Sequence, residues 1–359
     1  MWLKNTWYIA AFEPELEEPM VARRFLDTPV VMFRTSSGEL TALEDICPHR
    51  LMPLSCGKRM GDELQCGYHG MRFSAAGKCV AVPGQQQVPA AATVRRFPLV
   101  ARHGFIWIWM GKAEQANPDN IPDLHWNDDP GWTPSRGYKM VHADYRLMND
   151  NLLDLSHENY VHGKTIGNDE EESIADFPLK VTVEESQIVR AHREMPDILP
   201  PPFFAMILKT KERINRWQTA INLVPGINMT DVGVYPVGQP KDGAYVSHVL
   251  HLLTPETETS THYFWSITRN YRLQEAELTE AIRLAISATF DEDKIVLEQQ
   301  QQQMNVLKAV VPRVAIKLDE APMRARRILD EWLRKESETP EISVTPLRLV
   351  EDVSTSLER

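Results

Sequence analysis

Cys47-Pro48-His49 and, after sixteen further residues, Cys66-Gly67-Tyr68-His69 form a C-x-H…C-x-x-H pattern. Two thiolates and two imidazoles are good metal ligands, and each short loop supplies one of each. Structural zinc sites usually draw like ligands from close pairs. A zinc knuckle is therefore the weaker reading of these four residues. A [2Fe–2S] centre with two Cys on one iron and two His on the other takes one sulfur and one nitrogen from each of two facing loops. Gly67 and Gly70 allow the second loop to curl without a Cβ in the way.

The chain has 359 residues, 43% of them hydrophobic, and a formal charge of −11 from 50 acidic and 39 basic side chains. That length allows two or three domains. The charge argues against a general nucleic-acid binder, which needs a basic stripe, and suits a redox partner with a basic docking face. Of four cysteines, Cys47 and Cys66 belong to the motif, and Cys56 and Cys79 make no disulfide framework. The N-terminus lacks a signal-peptide apolar core, and no apolar run reaches the roughly 18 residues of a membrane span. A reducing cytoplasm is the expected compartment.

Around the motif, residues 7–11, 30–34, 40–43, 63–66, 71–73, 79–82, 97–100 and 104–109 read as short strands between Gly, Pro and Ser turns. Phe105, Trp107 and Trp109 alternate onto one face, as in a half-buried strand. These features predict a small all-β domain over residues 1–115. Residues 112–122, with Asn117-Pro118-Asp119-Asn120, read as a linker into a second domain, 116–359.

The second domain opens on another constellation, residues 145–162. Leu147, Met148, Leu152 and Leu155 give a helical apolar pattern. His157 and His162 are five apart, about one and a half helical turns, so a bend is needed to bring them to one metal. Asp154, three residues before His157, is placed to accept the free ring N–H of a metal-bound His157. Residues 179–190, 213–224, 230–236, 244–254 and 261–269 read as strands, with His248 and His251 on opposite faces. Residues 196–202 hold four prolines and read as irregular. A long helical stretch over 273–309 is expected to break near Asp291-Glu292-Asp293. Residues 321–335 read as a helix with Pro322 in its first turn and Arg324, Arg326 and Arg327 outward.

The first motif, with Pro48, Arg50, Tyr68 and Gly70 around its histidines, resembles the Rieske signature. With the D-x-x-H-x4-H of residues 154–162, the chain resembles the Rieske-type non-haem iron aromatic oxygenases. Residues 4–11, 45–50, 53–55, 151–154, 160–162 and 253–257 are similar to the subgroup of vanillate and dicamba O-demethylase oxygenase components. The resemblance implies an α+β fold: an N-terminal all-β Rieske domain, then a catalytic domain with an antiparallel sheet flanked by helices. It implies a [2Fe–2S] cluster on Cys47, His49, Cys66 and His69. It also implies a mononuclear Fe(II) on His157, His162 and a downstream helical carboxylate, read here as Asp293, with Asp291 and Glu292 in adjacent registers. Asp154 would bridge electrons between the two centres. The family assembles as a head-to-tail homotrimer in which one subunit's cluster serves the next subunit's iron. A separate ferredoxin- or flavin-type reductase uses NADH, which is not bound here.

The activity implied is O2-dependent O-demethylation of a methoxylated aromatic acid, vanillate-like, with release of formaldehyde. N-demethylation or hydroxylation of another small aromatic is the alternative. An electron-transfer-only Rieske protein would not need the second domain or its paired histidines. His251, which precedes Leu252-Leu253-Thr254-Pro255 as a pocket histidine does in the dicamba enzyme, is a candidate pocket residue. Asn228, Asn215 and Trp217 are further candidates, and Arg213 or Arg216 could hold a substrate carboxylate.

Overall fold

The computed structural model describes residues 1–167, 172–308, 314–339, 343, 344 and 349. Eleven short strands build the N-terminal part as three small sheets. The first joins β1 (Trp7–Phe12), β10 (Leu99–Arg102) and β11 (Phe105–Trp109), with β11 in the middle. The second is β2 (Val21–Phe25), β3 (Thr28–Arg34), β4 (Leu40–Glu44) and β9 (Arg96–Phe97). The third is β5 (Lys58–Met60), β6 (Glu63–Gln65), β7 (Arg72–Ser74) and β8 (Cys79–Ala81). Gly38, at φ +88°, closes the β3–β4 hairpin, and β4 then delivers the chain to Cys47. Strand β6 ends one residue before Cys66, and β7 carries the chain away from the second loop.

Strand β11 departs from the half-buried reading. All five of its side chains are fully buried, because both faces are covered. Ile106 and Ile108 pack with Tyr8, Val30, Met32 and Phe97 in the N-terminal core. Phe105, Trp107 and Trp109 point the other way, into the large core shared with the rest of the chain. Phe12 stands between Phe105 and Phe264, at 5.7 and 5.5 Å between ring centroids. Backbone bonds reinforce the join: Leu26 N–H donates to Pro255 O and Asp27 N–H to Glu256 O, both at 2.9 Å.

The larger part of the chain is a seven-stranded antiparallel sheet made of β12 (Thr133–Val141), β13 (Lys180–Glu184), β14 (Ile188–Ile198), β15 (Ile214–Leu223), β16 (Ile227–Pro236), β17 (Tyr245–Thr257) and β18 (Ser260–Arg269). Strands β13 to β18 follow one another as a meander, and β12 pairs with the outer edge of β18. The single strand expected over 179–190 is instead the β13–β14 hairpin. Its turn residues Glu185 and Ser186 both take positive φ, the geometry of a tight hairpin turn usually signalled by Asn or Gly.

Helices cover the pocket face of the sheet: α1 (Tyr145–Leu153), the short α2 (Glu158–Val161), α3 (Pro202–Leu208), α4 (Ala276–Leu307) and α5 (Glu320–Glu338). The break expected near the acidic triplet is absent. Helix α4 runs unbroken for 32 residues, with Leu278, Ile282, Ile286, Phe290, Asp293, Leu297 and Gln301 on one buried stripe. Residue 309 lies outside the described residues. Arg326 of α5 is not outward: it grips Asp150 of α1 through Nε at 2.9 Å and Nη2 at 2.5 Å. Among the described residues no helix is long and apolar enough to cross a membrane.

Trp107 is fully buried in the large core. Trp107→Ala is expected to cost about 3–5 kcal/mol and to lower the thermal midpoint read by circular dichroism. Val80→Ala, at an exposed position of β8, should change stability by less than about 0.5 kcal/mol.

Candidate metal centres and pocket

The two N-terminal motif loops are built alike. Cys47 N–H donates to Met52 O at 2.8 Å, and Leu51 N–H donates back to Cys47 O at 2.9 Å. In the second loop Cys66 N–H donates to Met71 O at 2.8 Å, and Gly70 N–H to Cys66 O at 3.1 Å. Four residues after each cysteine the backbone enters the left-handed region, at Leu51 (φ +58°) and Gly70 (φ +72°). Gly70 meets that need without a Cβ penalty, whereas Leu51 adopts it as a non-glycine residue. Gly67 serves a different need, since a Cβ there would stand 3.0 Å from Cys56 O.

Cys47 and Cys66 are buried beside one another, and the His49 and His69 rings lie 4.6 Å apart at the exposed tip. Burial raises the Cys47 thiol pKa; the backbone N–H groups of His49 and Arg50 act against this, while Cys66 adds to it. Asp45 ties the first loop down by accepting from Ser55 N–H at 2.7 Å and Ser55 Oγ at 2.5 Å. Cys56 and Cys79 are free thiols outside the two motifs.

The second site forms where α1 ends. Asp144 caps its start by accepting from Arg146 N–H at 2.9 Å. At Asp154 the helix stops, a 3-10 turn follows over Leu155–His157, and α2 begins at Glu158. This bend turns His157 and His162 toward each other. Asp293, on the buried stripe of α4, completes a group whose ligand atoms all lie within 4.8 Å of one another. Asp293 Oδ1 stands 3.3 Å from His157 Nε2 and 3.1 Å from His162 Nε2.

Both Nδ1 atoms are engaged elsewhere. His157 Nδ1 bonds the backbone carbonyl of Asp154 at 2.6 Å, and His162 Nδ1 bonds Glu292 Oε2 at 2.7 Å. Asn151 Nδ2 donates to Asp293 Oδ1 at 3.1 Å. Burial pulls His157 down, but its bond to Asp293, that carboxylate's charge and the Asp154 carbonyl outweigh it and lift the pKa to about 9. Burial likewise pushes Asp293 up, and the two imidazoles overcome this and hold it well below the usual carboxylate range. Both directions mark a site that favours positive charge.

Asp154 thus serves His157 through its carbonyl. Its carboxylate instead accepts from Ser156 N–H at 3.0 Å and Ser156 Oγ at 2.6 Å. The side-chain contact to His157 expected from sequence is absent, because the carboxylate caps the 3-10 turn. Of the acidic triplet, only Asp293 falls on the buried stripe. Asp291 is exposed and pairs with Lys139 at 2.7 Å, and Glu292 holds His162.

Beside the triad lies a pocket of about 640 Å³, mouth included, walled by Leu155, Phe203, Phe204, Val249, Ile286 and Phe290 among others. His251 is in it. Its Nδ1 bonds Tyr263 Oη at 2.6 Å, and burial lowers its pKa to about 3, so it is neutral. The other pocket candidates are not in it. Asn215 and Trp217 occupy the opposite face of β15 from Arg216 and Gln218, which do line it. Asn215 Oδ1 accepts from Asp197 N–H at 3.1 Å, and Trp217 Nε1 donates to Asp231 at 3.0 Å. Asn228 is locked under α1, donating to Asn149 Oδ1 at 2.7 Å. Arg213 pairs with Glu172 and Asp197 outside the pocket. Glu158, Gln218 and Asn151 were not singled out from sequence. The parity of β15 around Arg216 was the available signal for Gln218.

Comparison with known proteins gives the family of the chain. Residues 6–98 match the Rieske [2Fe-2S] domain, and residues 141–335 match the vanillate O-demethylase oxygenase C-terminal domain. The chain is 36% identical to the vanillate O-demethylase oxygenase subunit of a Pseudomonas strain, over 96% of this chain and 98% of that protein. It is 34% identical to the toluene-4-sulfonate monooxygenase system iron-sulfur subunit of Comamonas testosteroni, over 94% and 99%. The crystal structure of dicamba monooxygenase bound to 3,6-dichlorosalicylic acid superposes with a TM-score of 0.87 at 34% identity, covering 93% of this chain and 98% of that one. The chain belongs to the Rieske-type non-haem iron oxygenases, with the catalytic domain of the vanillate O-demethylase oxygenase group, and is a monooxygenase of that type.

Proposed function

We propose that this protein is the terminal oxygenase of a multicomponent system that removes a methyl group from a small methoxylated aromatic, with electrons from a separate NADH-dependent reductase. The observation that carries this reading is the apolar pocket built directly against the His157–His162–Asp293 group. The donor set fits a mononuclear iron: two imidazoles and one carboxylate on one side, with the other side facing the pocket. Both Nδ1 atoms are tied back, so the Nε2 atoms are the ones left to bind metal. Cys47 and Cys66 would hold one cluster iron, and His49 and His69 the other. Together the two centres supply, when bound, one-electron relay and dioxygen activation.

The chain's own residues do the rest. Asn151 and Glu292 fix the orientation of Asp293 and His162. Phe203, Phe204 and Phe290 exclude water and hold a ring beside the triad. Hydroxylation of the methoxy carbon gives a hemiacetal that collapses to a phenol and formaldehyde. One dioxygen, two electrons and two protons are consumed, and the second oxygen atom leaves as water. N-demethylation of a related ring is the runner-up, since it needs the same geometry. The sequence leads to the expectation of a carboxylated, vanillate-like ring, held among His251, Asn228, Asn215 and Trp217 or instead by Arg213 or Arg216. Arg213 is outside the pocket, and Arg216 is already paired with Glu158.

Electron entry completes the reading. His49 and His69 are exposed, beside Leu51 at 73% and Tyr68 at 57% exposure. Such an apolar rim suits docking of this tip on a neighbouring subunit, near its Asp154 turn, in a head-to-tail homotrimer.

Glu292→Ala is expected to weaken mononuclear iron binding about 10–100-fold, and Asp293→Asn to abolish it. In both, iron content should fall from about three toward about two per chain with the cluster's visible spectrum intact. Loss of the cluster spectrum instead would contradict the assignment. For activity, the iron-loaded protein with a compatible reductase and NADH should give formaldehyde and a phenol in equal amounts from methoxyarenes, only in the presence of O2. NADH oxidation without formaldehyde across methoxyarenes would turn the assignment to N-methyl substrates or ring hydroxylation.

A further inference from the structure

One wall of the pocket carries a closed charge pair. Glu158 directly follows His157 in the chain and is 2% exposed, and Arg216 of β15 is 1% exposed. Arg216 Nη2 lies 3.0 Å from Glu158 Oε2. The guanidinium also stacks on Phe204, its Cζ 4.7 Å from the ring centroid. The other carboxylate oxygen, Oε1, accepts from Gln218 Nε2. Gln218 is 4% exposed, and its own Oε1 is buried without a hydrogen-bond partner among the described residues. All three side chains line the pocket.

A carboxylate leaving water for an apolar pocket needs a cation and donors to receive it. Among the described lining residues Arg216 is the one permanent cation, and its Nη2 is already paired with Glu158. His251 is neutral. A carboxylated ring would bring a second negative charge beside Glu158. A neutral ring with an N–H or O–H meets the opposite situation, since Gln218 Oε1 is a buried acceptor whose desolvation is compensated only when a donor reaches it.

We propose that Glu158, Arg216 and Gln218 make this pocket select a neutral aromatic bearing an N–H or O–H donor over the corresponding carboxylate. This rests on the pocket being the substrate site of the oxygenase read above, and it names the substrate class. Glu158 and Arg216 cancel each other's charge, and Gln218 supplies the hydrogen-bond demand.

The test is ligand binding by the anaerobic, iron-loaded protein, read by calorimetry without turnover. Vanillamide and vanillate share ring, methoxy and hydroxyl groups and differ in charge at one substituent. 4-Methylbenzamide and 4-methylbenzoate repeat the comparison without the methoxy group. In each pair the amide should bind at least about tenfold tighter. Glu158→Gln releases Arg216 and should shrink that ratio at least about tenfold or invert it. Gln218→Leu should weaken 4-methylbenzamide and leave 4-methylbenzoate, which carries no donor when ionised, unchanged.

Equal or tighter binding of the acids by the unaltered protein overturns the proposal, whatever the variants do. So does a ratio that Glu158→Gln leaves unchanged in folded protein of normal iron content, and so does binding of none of the four. Should Glu158→Gln fail to fold or to retain iron, the wild-type ratios and Gln218→Leu decide. Amide-selective binding without formaldehyde from the methoxyarenes would leave this inference standing and sink O-demethylation. Formaldehyde from vanillate with acid-selective binding would do the reverse.

Discussion

Three ligand atoms from two distant segments must meet at one point, and much of the catalytic architecture follows from that requirement. His162 and Asp293 are 131 residues apart and stand 3.1 Å from each other. A regular helix would splay His157 and His162, so α1 ends at Asp154 and a 3-10 turn redirects the chain. The opposite condition holds for Asp293, which needs a rigid mount. Helix α4 provides it as an unbroken rod laid against β12 and the pocket, with the acid placed among Ile286, Phe290 and Leu297 on the buried stripe. A carboxylate on that stripe would be costly alone. The two imidazoles and Asn151 compensate it, and the group as a whole favours a cation.

The partners around the triad have separate tasks. The Asp154 carbonyl and Glu292 each occupy an Nδ1 and so choose which nitrogen faces the metal position. Glu158, the next residue after His157, turns to the pocket instead and meets Arg216. One short segment therefore builds a member of the candidate metal group and a wall of the pocket. Changes in that segment are thus expected to touch metal affinity and ligand choice together, a consequence of how tightly the bend packs them.

The join between the two parts of the molecule depends on β1 and β11. A strand with one apolar face would have left the N-terminal sheets as a separate body. Both faces of β11 are apolar, and the chain uses the second one: Phe105, Trp107 and Trp109 enter the core that also holds Tyr145 and Phe264. The cluster loops are consequently carried on a frame continuous with the catalytic sheet. The left-handed residues Leu51 and Gly70 close those loops in matching ways, although the histidine sits two residues after the first cysteine and three after the second.

The sequence by itself determined the C-x-H…C-x-x-H motif and the paired histidines, because Cys and His at fixed short spacings have local geometry, while it left the carboxylate open among Asp291, Glu292 and Asp293. It also determined the strand-rich first part, most strands of the catalytic sheet, and the need for a bend between His157 and His162. Which acid of the triplet meets the histidines was decided by folding, since α4 runs unbroken and places Asp293 on its buried stripe. Tertiary structure alone decided which polar residues face the pocket. Residues 215 and 217 differ from 216 and 218 by one step of strand parity, and which parity faces α1 and α4 depends on how the whole sheet packs. Asn228 lies on the pocket side but under α1, where Asn149 captures it. The pairing of Glu158 with Arg216 across 58 residues is likewise invisible in local pattern, since a buried charge is stable only where folding brings its counter-ion.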